Sequence, residues 1–344
     1  MEKREYLREP VKHIDIKSFD STAIIDAMRD MSFTARDTAR AADIFNMMLN
    51  DEDCTIILCI AGSTNAAGCM QIYVDMVRYK MVDVVVATGA TIVDMDFFEA
   101  LGFRHYKGSP MVDDKKLRKL YIDRIYDTFI DEEQLQVCDN TIKQIADSLQ
   151  RRPFSSREFI KEMGKYLVGN ARIKPAFGGK DSLVLEAYRN NVPIFCPAFS
   201  DSSAGLGLVK HQVENEENHI SIDSVKDFRE LTEIKIRSSV SGLFMVGGGV
   251  PKNFAQDTVI CAEILGKRVE MHKYAVQITV ADARDGACSS STLKEATSWG
   301  KVNGGCEQMV FAEASSVLPL IISYVYHKRD WEKRINREWS KIFE

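Results

Sequence analysis

Residues 242–252 read GLFMVGGGVPK, and this stretch decides the fold. It begins with the apolar run 242–246, which has the length of a buried strand, and three glycines follow at once. Glycine permits positive backbone φ angles, so these residues allow a tight turn and a close approach of a ligand to the backbone. Pro251 suits the first turn of a helix, where its missing amide hydrogen is not needed. The stretch therefore predicts a strand, a glycine turn and a helix in succession.

Similar short runs of apolar, often β-branched residues recur on both sides of this stretch. The further predicted strands are residues 55–60, 82–87, 192–196, 275–279 and 308–311. Between and around them, apolar residues three and four positions apart predict helices at residues 34–49, 66–79, 133–149, 156–167, 254–265 and 315–335. Alternation of buried strands with amphipathic helices is typical of a parallel sheet covered on both faces. The sequence therefore predicts an α/β fold.

Little in the sequence divides the chain into separate units. It contains no internal repeat, no low-complexity tract and no long Gly/Ser linker, so we expect a single compact domain over residues 1–344. An N-terminal helical segment, residues 1–50, is expected to pack on it. Residues 104–132 are rich in charge and predict an excursion over the surface that could cover a site. Residues 213–227 are polar and acidic, which is typical of a solvated loop.

Composition argues against several classes of function. A net charge of −5 makes nucleic acid an improbable partner, because polyanion binding normally requires a basic surface. The eight cysteines show neither Cys-x-x-Cys pairs nor histidines at metal-ligand spacing, so we expect reduced thiols and no metal. The most apolar run, residues 317–326, is about half the length of a membrane span. With no signal peptide at the N-terminus, the sequence favours a cytoplasmic protein that has no membrane partner.

Small or glycine-rich turns follow four of the predicted strands, at residues 61–64, 88–91, 201–205 and 247–249. In an open α/β sheet, ligands bind at the carboxyl ends of the strands, where bare backbone amides can approach a phosphate. None of the turns matches Gly-x-Gly-x-x-Gly, and one such turn alone is more often only structural. Four together favour a ligand, and Asp94 and Glu313 lie where a carboxylate could accept hydrogen bonds from ribose hydroxyls.

Lys301 follows a predicted short helix, residues 292–298, and is preceded by Trp299 and Gly300. A lysine is a nucleophile only in its neutral form, and burial beside the indole of Trp299 would disfavour the charged form. Gly300 permits a sharp turn at this point. Taken alone, however, a lysine after Trp-Gly is usually a surface residue.

Three motifs together resemble the deoxyhypusine synthase family: SWGK at residues 298–301, GGGVPK at 247–252 and FCPAFSD at 195–201. The resemblance covers most of the chain and includes MVDV at 81–84 and FAEAS at 311–315. It implies a Rossmann-like α/β domain, a homotetramer, and NAD and amine sites between paired subunits. It also implies a transferase that oxidises a polyamine with NAD, captures the imine on a lysine and passes the alkylamine to an acceptor amine.

The resemblance assigns roles to individual positions. Lys301 would carry the imine, and the amine substrate would contact Asn253, Asp257, Glu295 and Trp299. The implied NAD contacts are Ser63, Thr88, Gly89, Ala90, Asp94, Asp201, Gly247, Gly249, Ala281, Glu313 and Ala314. Asp94 and Glu313 exchange acid lengths relative to the family pattern, which keeps the charge but alters its reach.

The implied amine pocket departs from the family at four positions. Asn253 stands in place of a histidine, Asp257 in place of an asparagine, and Leu206 and Cys288 in place of aspartates. An ammonium buried without its partner costs about 3 to 5 kcal/mol, so the family's triamine should not bind unchanged. The sequence therefore predicts a polyamine or diamine donor with altered charge spacing, and Asp257 would restore one charge at a different place.

Three questions stay open at the level of the sequence. The acceptor could be a lysine of a translation factor or putrescine, as in the related homospermidine synthases. Loss of pocket carboxylates also fits a catalytically silent paralogue that binds NAD and acts as a scaffold, although Lys301, Trp299 and Glu295 are retained. An ordinary dehydrogenase would need a proton-transfer residue, and neither His211 nor His272 has a context that marks it as one.

Overall fold

A computed structural model describes residues 2–170, 182–288 and 291–344 of the chain. Its strands are β1 (Cys54–Ile60), β2 (Val84–Ala87), β3 (Tyr106–Lys107), β4 (Ile122–Ile125), β5 (Thr128–Asp131), β6 (Pro153–Phe154), β7 (Ile194–Phe195), β8 (Ser221–Ile222), β9 (Val240–Val246), β10 (Tyr274–Thr279) and β11 (Glu307–Phe311).

Its α-helices are α1 (Lys3–Tyr6), α2 (Thr22–Arg29), α3 (Phe33–Asn50), α4 (Met70–Arg78), α5 (Phe98–Ala100), α6 (Asp114–Lys119), α7 (Glu132–Ser148), α8 (Ser156–Gly169), α9 (Leu183–Arg189), α10 (Ser203–Glu214), α11 (Ser224–Arg237), α12 (Gly249–Gln256), α13 (Thr258–Ile264), α14 (Leu293–Ala296) and α15 (Ala314–Lys328). Two π-helical segments, Asn65–Cys69 and Ala90–Phe97, lead into α4 and α5. Short 3₁₀ segments are Gly286–Cys288, Asp330–Lys333 and Trp339–Phe343.

The central sheet has six strands among the described residues, in the order β11-β10-β9-β1-β2-β7. All neighbouring strands in it are parallel, with Leu58 of β1 opposite Val85 of β2 and Phe244 of β9. The chain fills one half of the sheet outward from β1 and then the other half outward from β9, which is the strand order of doubly wound nucleotide-binding folds. The prediction of an α/β fold with a Rossmann-like parallel sheet is therefore confirmed.

The apolar strand sequences follow from burial of the sheet on both faces. Every residue of β1 is buried, and successive side chains point to opposite faces. Ile56, Leu58 and Ile60 belong to the core cluster under α3, α4 and α15, whereas Ile57 and Cys59 belong to the cluster under α11, α12 and α14. Polar residues such as Thr55 are few in a strand covered in this way, which explains why apolar runs located the strands.

Helix α3 brings the N-terminal segment onto the sheet, because it packs against β10, β11 and α15. Polar contacts fix the chain before α2: the hydroxyl of Ser21 donates to the carbonyl of Leu320 (2.6 Å), and that of Ser323 donates to the carbonyl of Phe19 (2.7 Å). That the whole chain forms one domain with residues 1–50 attached stays a prediction.

The helix predicted at 254–265 was wrong in its start and in its continuity. Helix α12 begins at Gly249, five residues earlier, with Pro251 in its first turn, and Asp257 separates it from α13. The helix predicted at 315–335 ends at Lys328, because Arg329 adopts a φ of +64° that cannot continue a right-handed helix. The helix predicted at 292–298 is reduced to α14.

Two predictions of irregular structure also need correction. Residues 104–132 form a small antiparallel sheet, β3-β5-β4, with α6 and a core of Leu117, Ile122 and Phe129, so they are more than a surface excursion. The loop predicted at 213–227 contains the end of α10, strand β8 and the start of α11.

The apolar run at 317–326 lies in α15 and supplies core residues such as Leu318 and Ile321. Among the described residues, no helix combines the length and the apolar character that crossing a membrane would require.

Candidate active site

The carboxyl edge of the sheet carries the residues proposed for a nucleotide. Because the six strands are parallel, the turns that follow them all lie at this one edge. From one side of the sheet to the other, the positions after β11, β10, β9, β1, β2 and β7 are Glu313, Ala281, Gly247, Ser63, Thr88 and Asp201. The structure thus brings to one edge residues that are up to 250 positions apart in the sequence.

The strand order reverses between β1 and β9, and the turns after these two strands form the crevice of the sheet. Their backbones are joined, since the amide of Ala61 donates to the carbonyl of Val246 (2.9 Å). Gly62 has a φ of +84° with open space where a Cβ would lie, whereas a Cβ on Gly247 (φ +77°) would come within 3.1 Å of the Ala61 carbonyl oxygen. Helix α12 begins here at Gly249, so its amino terminus lies at the crevice, where an anion would be stabilised.

The turn after β2 is tied to the crevice by hydroxyl groups. The Thr88 and Thr91 hydroxyls are 2.9 Å apart, and that of Thr91 also lies 3.3 Å from the carbonyl oxygen of Gly62. Gly89 packs so closely on the turn before α10 that a Cβ would come within 2.6 Å of the Ser202 hydroxyl. Ala90 then begins the π-helical segment that continues to Asp94 and beyond.

Asp94 joins this segment to α10, because its Oδ1 accepts a hydrogen bond from the amide of Ser203 (2.7 Å). Burial raises the pKa of Asp94 to about 6; the negative charges of Asp139 and Asp201 add to the rise, and the Ser203 amide opposes it. Asp139 on α7 was missed in the sequence, although it is a lone carboxylate on the buried side of an amphipathic helix. The three carboxylates make this side of the edge acidic.

Glu313 and Ala314 lie at the other side of the edge, where α15 begins after β11. The carboxylate of Glu313 accepts a hydrogen bond from the hydroxyl of Ser315 (2.5 Å) and is exposed to solvent. Ala281 follows β10, and its amide donates to the hydroxyl of Thr279 (3.1 Å). The part of the sheet edge at Glu313 is therefore exposed to solvent.

Lys301 is buried to 7% exposure, and its Nζ lies 2.6 Å from Oδ1 of Asp257. Its backbone is fixed by two hydrogen bonds, from its own amide to the carbonyl of Ala296 and from the amide of His272 to its carbonyl, each 3.0 Å long. Gly300, with a φ of +69°, provides the turn that directs the chain back toward α12. A lysine that sequence context alone would place at the surface is therefore held in a defined position.

The expected burial of Lys301 by Trp299 is not what the structure has. Trp299 is 61% exposed, and its ring centroid lies 5.3 Å from Nζ of Lys301, in the geometry of a cation–π contact. The indole face and the carboxylate of Asp257 both lie against the Lys301 amine, which differs from the burial beside Trp299 that the sequence argument required. Since a lysine is a nucleophile only in its neutral form, a reaction at Lys301 requires a group that can accept a proton.

Lys252, to which the sequence reading gave no role, lies completely buried beside this pair. Its Nζ donates to the carbonyl oxygens of Cys288 (2.8 Å) and Ser291. Burial lowers the pKa of Lys252, and the positive charge of Lys301 lowers it further. The sequence feature that could have identified Lys252 is its position at the end of the GGGVPK motif, which forms the first turns of α12.

An open cleft of about 530 Å³ runs along α12. Its lining residues are Phe228, Gly249, Val250, Asn253, Phe254, Asp257 and Gly286. The rings of Phe228 and Phe254 pack with centroids 4.9 Å apart and make one wall apolar. Eight helical residues span about 12 Å, so α12 connects the crevice at Gly249 with the carboxylate that holds Lys301.

The other positions singled out for amine binding lie outside this contact. Glu295 is exposed, and its carboxylate accepts hydrogen bonds from the amide (2.7 Å) and hydroxyl (2.8 Å) of Thr292, which lower the pKa of Glu295. Leu206 is exposed on α10, and Cys288 is buried with its carbonyl engaged by Lys252. Neither of the last two can replace the carboxylate that the family pattern has there.

Fold and site together define a doubly wound α/β protein whose helix α12 begins at the strand-end crevice and ends at the carboxylate that contacts a buried lysine. The chain belongs to the deoxyhypusine synthase family, whose model matches residues 23–325. The resemblance stated from the motifs is thereby confirmed.

The relatives match over almost the whole chain. It is 64% identical to a deoxyhypusine synthase-like protein of Coxiella burnetii, over 99% of this chain and 96% of that protein. It is 62% identical to a deoxyhypusine synthase-like protein of Caulobacter vibrioides (99% and 93%) and 38% identical to a probable deoxyhypusine synthase 2 of Methanosarcina mazei (96% and 93%).

A crystal structure of a candidate deoxyhypusine synthase from Entamoeba histolytica has the same fold. Its TM-score is 0.57 at 21% identity, and the match covers 95% of this chain and 99% of that one. At this level of identity the likeness supports the fold alone.

Proposed function

We propose that the protein is an NAD-dependent alkylamine transferase of the deoxyhypusine synthase type, in which Lys301 carries the aminobutyl group as an imine. Membership of the family supports a deoxyhypusine synthase-like transferase. The observation that carries the finer proposal is the placement of the Lys301 amine, which is buried beside Asp257 at one end of a cleft whose lining also includes Gly249 of the strand-end crevice.

The residues at the crevice fit a dinucleotide. The open space at the Cβ position of Gly62 and the start of α12 at Gly249 would let a pyrophosphate approach the backbone after β1 and β9. Asp94 and Glu313, on opposite sides of the crevice, would accept hydrogen bonds from hydroxyl groups. NAD would supply an acceptor for the hydride that is removed from the donor amine.

The protein's own residues would divide the remaining work. Lys301 would form the covalent bond to the oxidised carbon, and the exposed face of Trp299 would attract a cationic amine. The Phe228 and Phe254 rings would cover the methylene chain of the amine and exclude water, which protects an imine from hydrolysis. Asn253, on the same wall of α12, would offer its amide to the amine.

The donor amine is proposed to differ in charge spacing from the triamine that the family uses. Leu206 is exposed and apolar, Cys288 is buried, and the carboxylate of Glu295 is engaged by Thr292, so the acidic groups of the family pattern are reduced in number. A diamine or a polyamine with fewer paired ammonium groups fits such a pocket. The acceptor is either a lysine of a translation factor or putrescine, and product mass distinguishes the two.

We further propose a homotetramer in the cytoplasm. Exposed apolar side chains at the turns around the site, Val250, Val280 and Trp299, fit a surface that a second copy covers. Sedimentation of the purified protein measures the assembly directly, and a monomer at micromolar concentration would contradict it.

Covalent trapping tests the function. The protein is incubated with NAD and spermidine, putrescine or agmatine, reduced with borohydride and digested, and peptides are analysed by mass spectrometry. We expect an alkylamine adduct on Lys301, its loss in Lys301→Ala, and its retention in Lys294→Ala, in which an exposed lysine of the same segment is removed.

Two results would overturn the transferase assignment. An adduct that persists in Lys301→Ala would place the chemistry elsewhere. No adduct with any amine, combined with intact NAD binding, would instead support the silent scaffold.

A further inference from the structure

We infer that Asp257 is the proton acceptor and counter-ion of Lys301, rather than a binding site for a free ammonium of the substrate. The inference rests on the proposed function, because it concerns the step in which Lys301 forms its imine. The contact that points to it joins Nζ of Lys301 and Oδ1 of Asp257 at 2.6 Å, a distance typical of a charge-assisted hydrogen bond.

The position of Asp257 leaves its carboxylate available for this task. The residue lies at the junction of α12 and α13, and its side chain caps neither helix. The side chain is 40% exposed and lines the cleft, so the carboxylate touches the buried lysine and is also open to a bound molecule. A proton taken from Lys301 can therefore leave through the same carboxylate.

The other charged groups near Lys301 are already committed. Lys252 is a cation whose hydrogens are directed to two backbone carbonyls, and Glu295 is held by the amide and hydroxyl of Thr292. The backbone carbonyl of Cys288 accepts a hydrogen bond from Lys252. Trp299 contacts the Lys301 amine through its ring face. Among the described residues, Asp257 is the carboxylate in direct contact with the Lys301 amine.

The step that this contact serves is an exchange of imines. NAD, if bound at the crevice, would supply the hydride acceptor, and the carbon beside the donor nitrogen that later leaves would become an iminium. Lys301 gives one proton to Asp257, and its Nζ lone pair forms a bond to the iminium carbon.

The bond between that carbon and the donor nitrogen then breaks, and its electron pair stays with the departing amine. The proton held by Asp257 and the second proton of Nζ pass to that amine, which leaves as an ammonium ion. Lys301 is left as an iminium of the same charge as the ammonium that it replaced, and Asp257 neutralises it.

This role is an alternative to the expectation that Asp257 restores an amine-binding charge. Because the negative charge of Asp257 is neutralised by Lys301 before the reaction and by the iminium after it, no net charge is left for a spare ammonium of the donor. The second cationic end of the donor must therefore be recognised elsewhere in the cleft or remain in water.

The pairing can be measured without any turnover. The protein, free of amines, is labelled with an amine-directed acylating reagent from pH 6 to pH 10, and modification of Lys301 is followed by peptide mass spectrometry. In Asp257→Asn the pH of half-maximal labelling should fall by about one unit, because an opposite charge in contact no longer favours the ammonium. Asp257→Glu and the matched control Glu263→Gln, an exposed carboxylate on α13, should label as the wild type does.

Trapping with NAD and the active amine then tests the proton transfer. Asp257→Asn should form the Lys301 adduct at least tenfold more slowly near neutral pH, and Asp257→Glu should recover most of the rate. Unchanged labelling in Asp257→Asn would overturn the pairing, and unchanged trapping would overturn the proton transfer. If Asp257→Asn shifts the labelling but the wild type forms no adduct with any amine, the proposed function fails and the pairing stands.

Discussion

The two ends of the central sheet treat buried charge in opposite ways. At the amino end, Asp83 before β2 accepts hydrogen bonds from Nη2 of Arg334 (2.6 Å) and from the amide of Ile56 (2.8 Å). Arg334 also donates to the carbonyls of Lys80, Met48 and Cys54. At the carboxyl end, Lys252 is completely buried, and its Nζ donates to the backbone carbonyls of Cys288 and Ser291.

The difference separates stability from chemistry. Where a buried charge has an ion-pair partner as well as hydrogen bonds, it fixes the chain. Where a buried charge is incompletely compensated, the charged form is less stable, and a bound ligand or a reaction can change its protonation. The same strands lead to both ends of the sheet, so the difference in the treatment of buried charge comes from the turns at those ends.

Removal of Arg334 should produce the largest effect on stability. Arg334→Met removes the shorter of the two ion pairs of buried Asp83 and leaves only Arg337 at 3.9 Å, which should lower the free energy of unfolding by about 3 kcal/mol, as measured by urea denaturation. The double variant Asp83→Asn with Arg334→Met should regain part of the loss, because no uncompensated charge then remains. If the free energy of unfolding fell by less than about 1 kcal/mol in Arg334→Met, the proposed difference between the two ends of the sheet would be contradicted.

A pH-dependent loss of stability should mark the carboxyl end. Burial raises the pKa of Asp94 to about 6, so the folded protein holds this proton more tightly than the unfolded chain does. The contribution of Asp94 to stability should therefore fall by about 1 to 3 kcal/mol as the pH rises from 4 to 7.

Urea denaturation across this range, compared between the wild type and Asp94→Asn, measures that contribution. Asp53→Asn, an exposed carboxyl before β1, is the control. An identical pH profile in the wild type and Asp94→Asn would contradict the prediction.

The smallest effect on stability is expected from alanine substitution at two glycines of similar backbone geometry. Gly249 (φ +65°) lies at the crevice and Gly266 (φ +72°) lies after α13, and neither position crowds an added Cβ. Substitution by alanine at either position should cost about 1 kcal/mol, since both require the left-handed region. Only Gly249→Ala should also weaken NAD binding, as measured by calorimetry. If both substitutions changed NAD binding equally, the proposal that NAD binds at the crevice would be contradicted.

The sequence located most strands of the large sheet because they are buried on both faces and are therefore apolar runs, whereas the edge strand β11 is only partly buried. It did not locate α10, whose Gly205 and Gly207 are poor helix formers. The structure gives the reason for these glycines: a Cβ on Gly205 would overlap the carbonyl of Ser200, and one on Gly207 would overlap that of Asp139. Close packing overrode local propensity at this helix.

The sequence could predict which strand-end residues gather at one edge of the sheet, but it could not predict the contacts around Lys301. Parallel topology alone brings Ser63, Thr88 and Gly247 to one edge once the strands are known. The pairing of Asp257 with Lys301 depends on where α12 stops and on the turn at Gly300, which periodicity does not specify. Burial of Lys252 was likewise hidden, because a lysine is usually exposed and only the packed structure reveals this exception.

The pairing of β1 with β9 has a consequence for how the molecule forms. Cys54 lies opposite Val240, roughly 190 positions further along the chain, so the centre of the sheet closes a very long loop and should assemble slowly. The crevice between Gly62 and Gly247 exists only after this closure, and a nascent chain that has made β1 and β2 does not yet have it. Ligand binding at the crevice would therefore report that the molecule has completed its folding, and would slow its reopening.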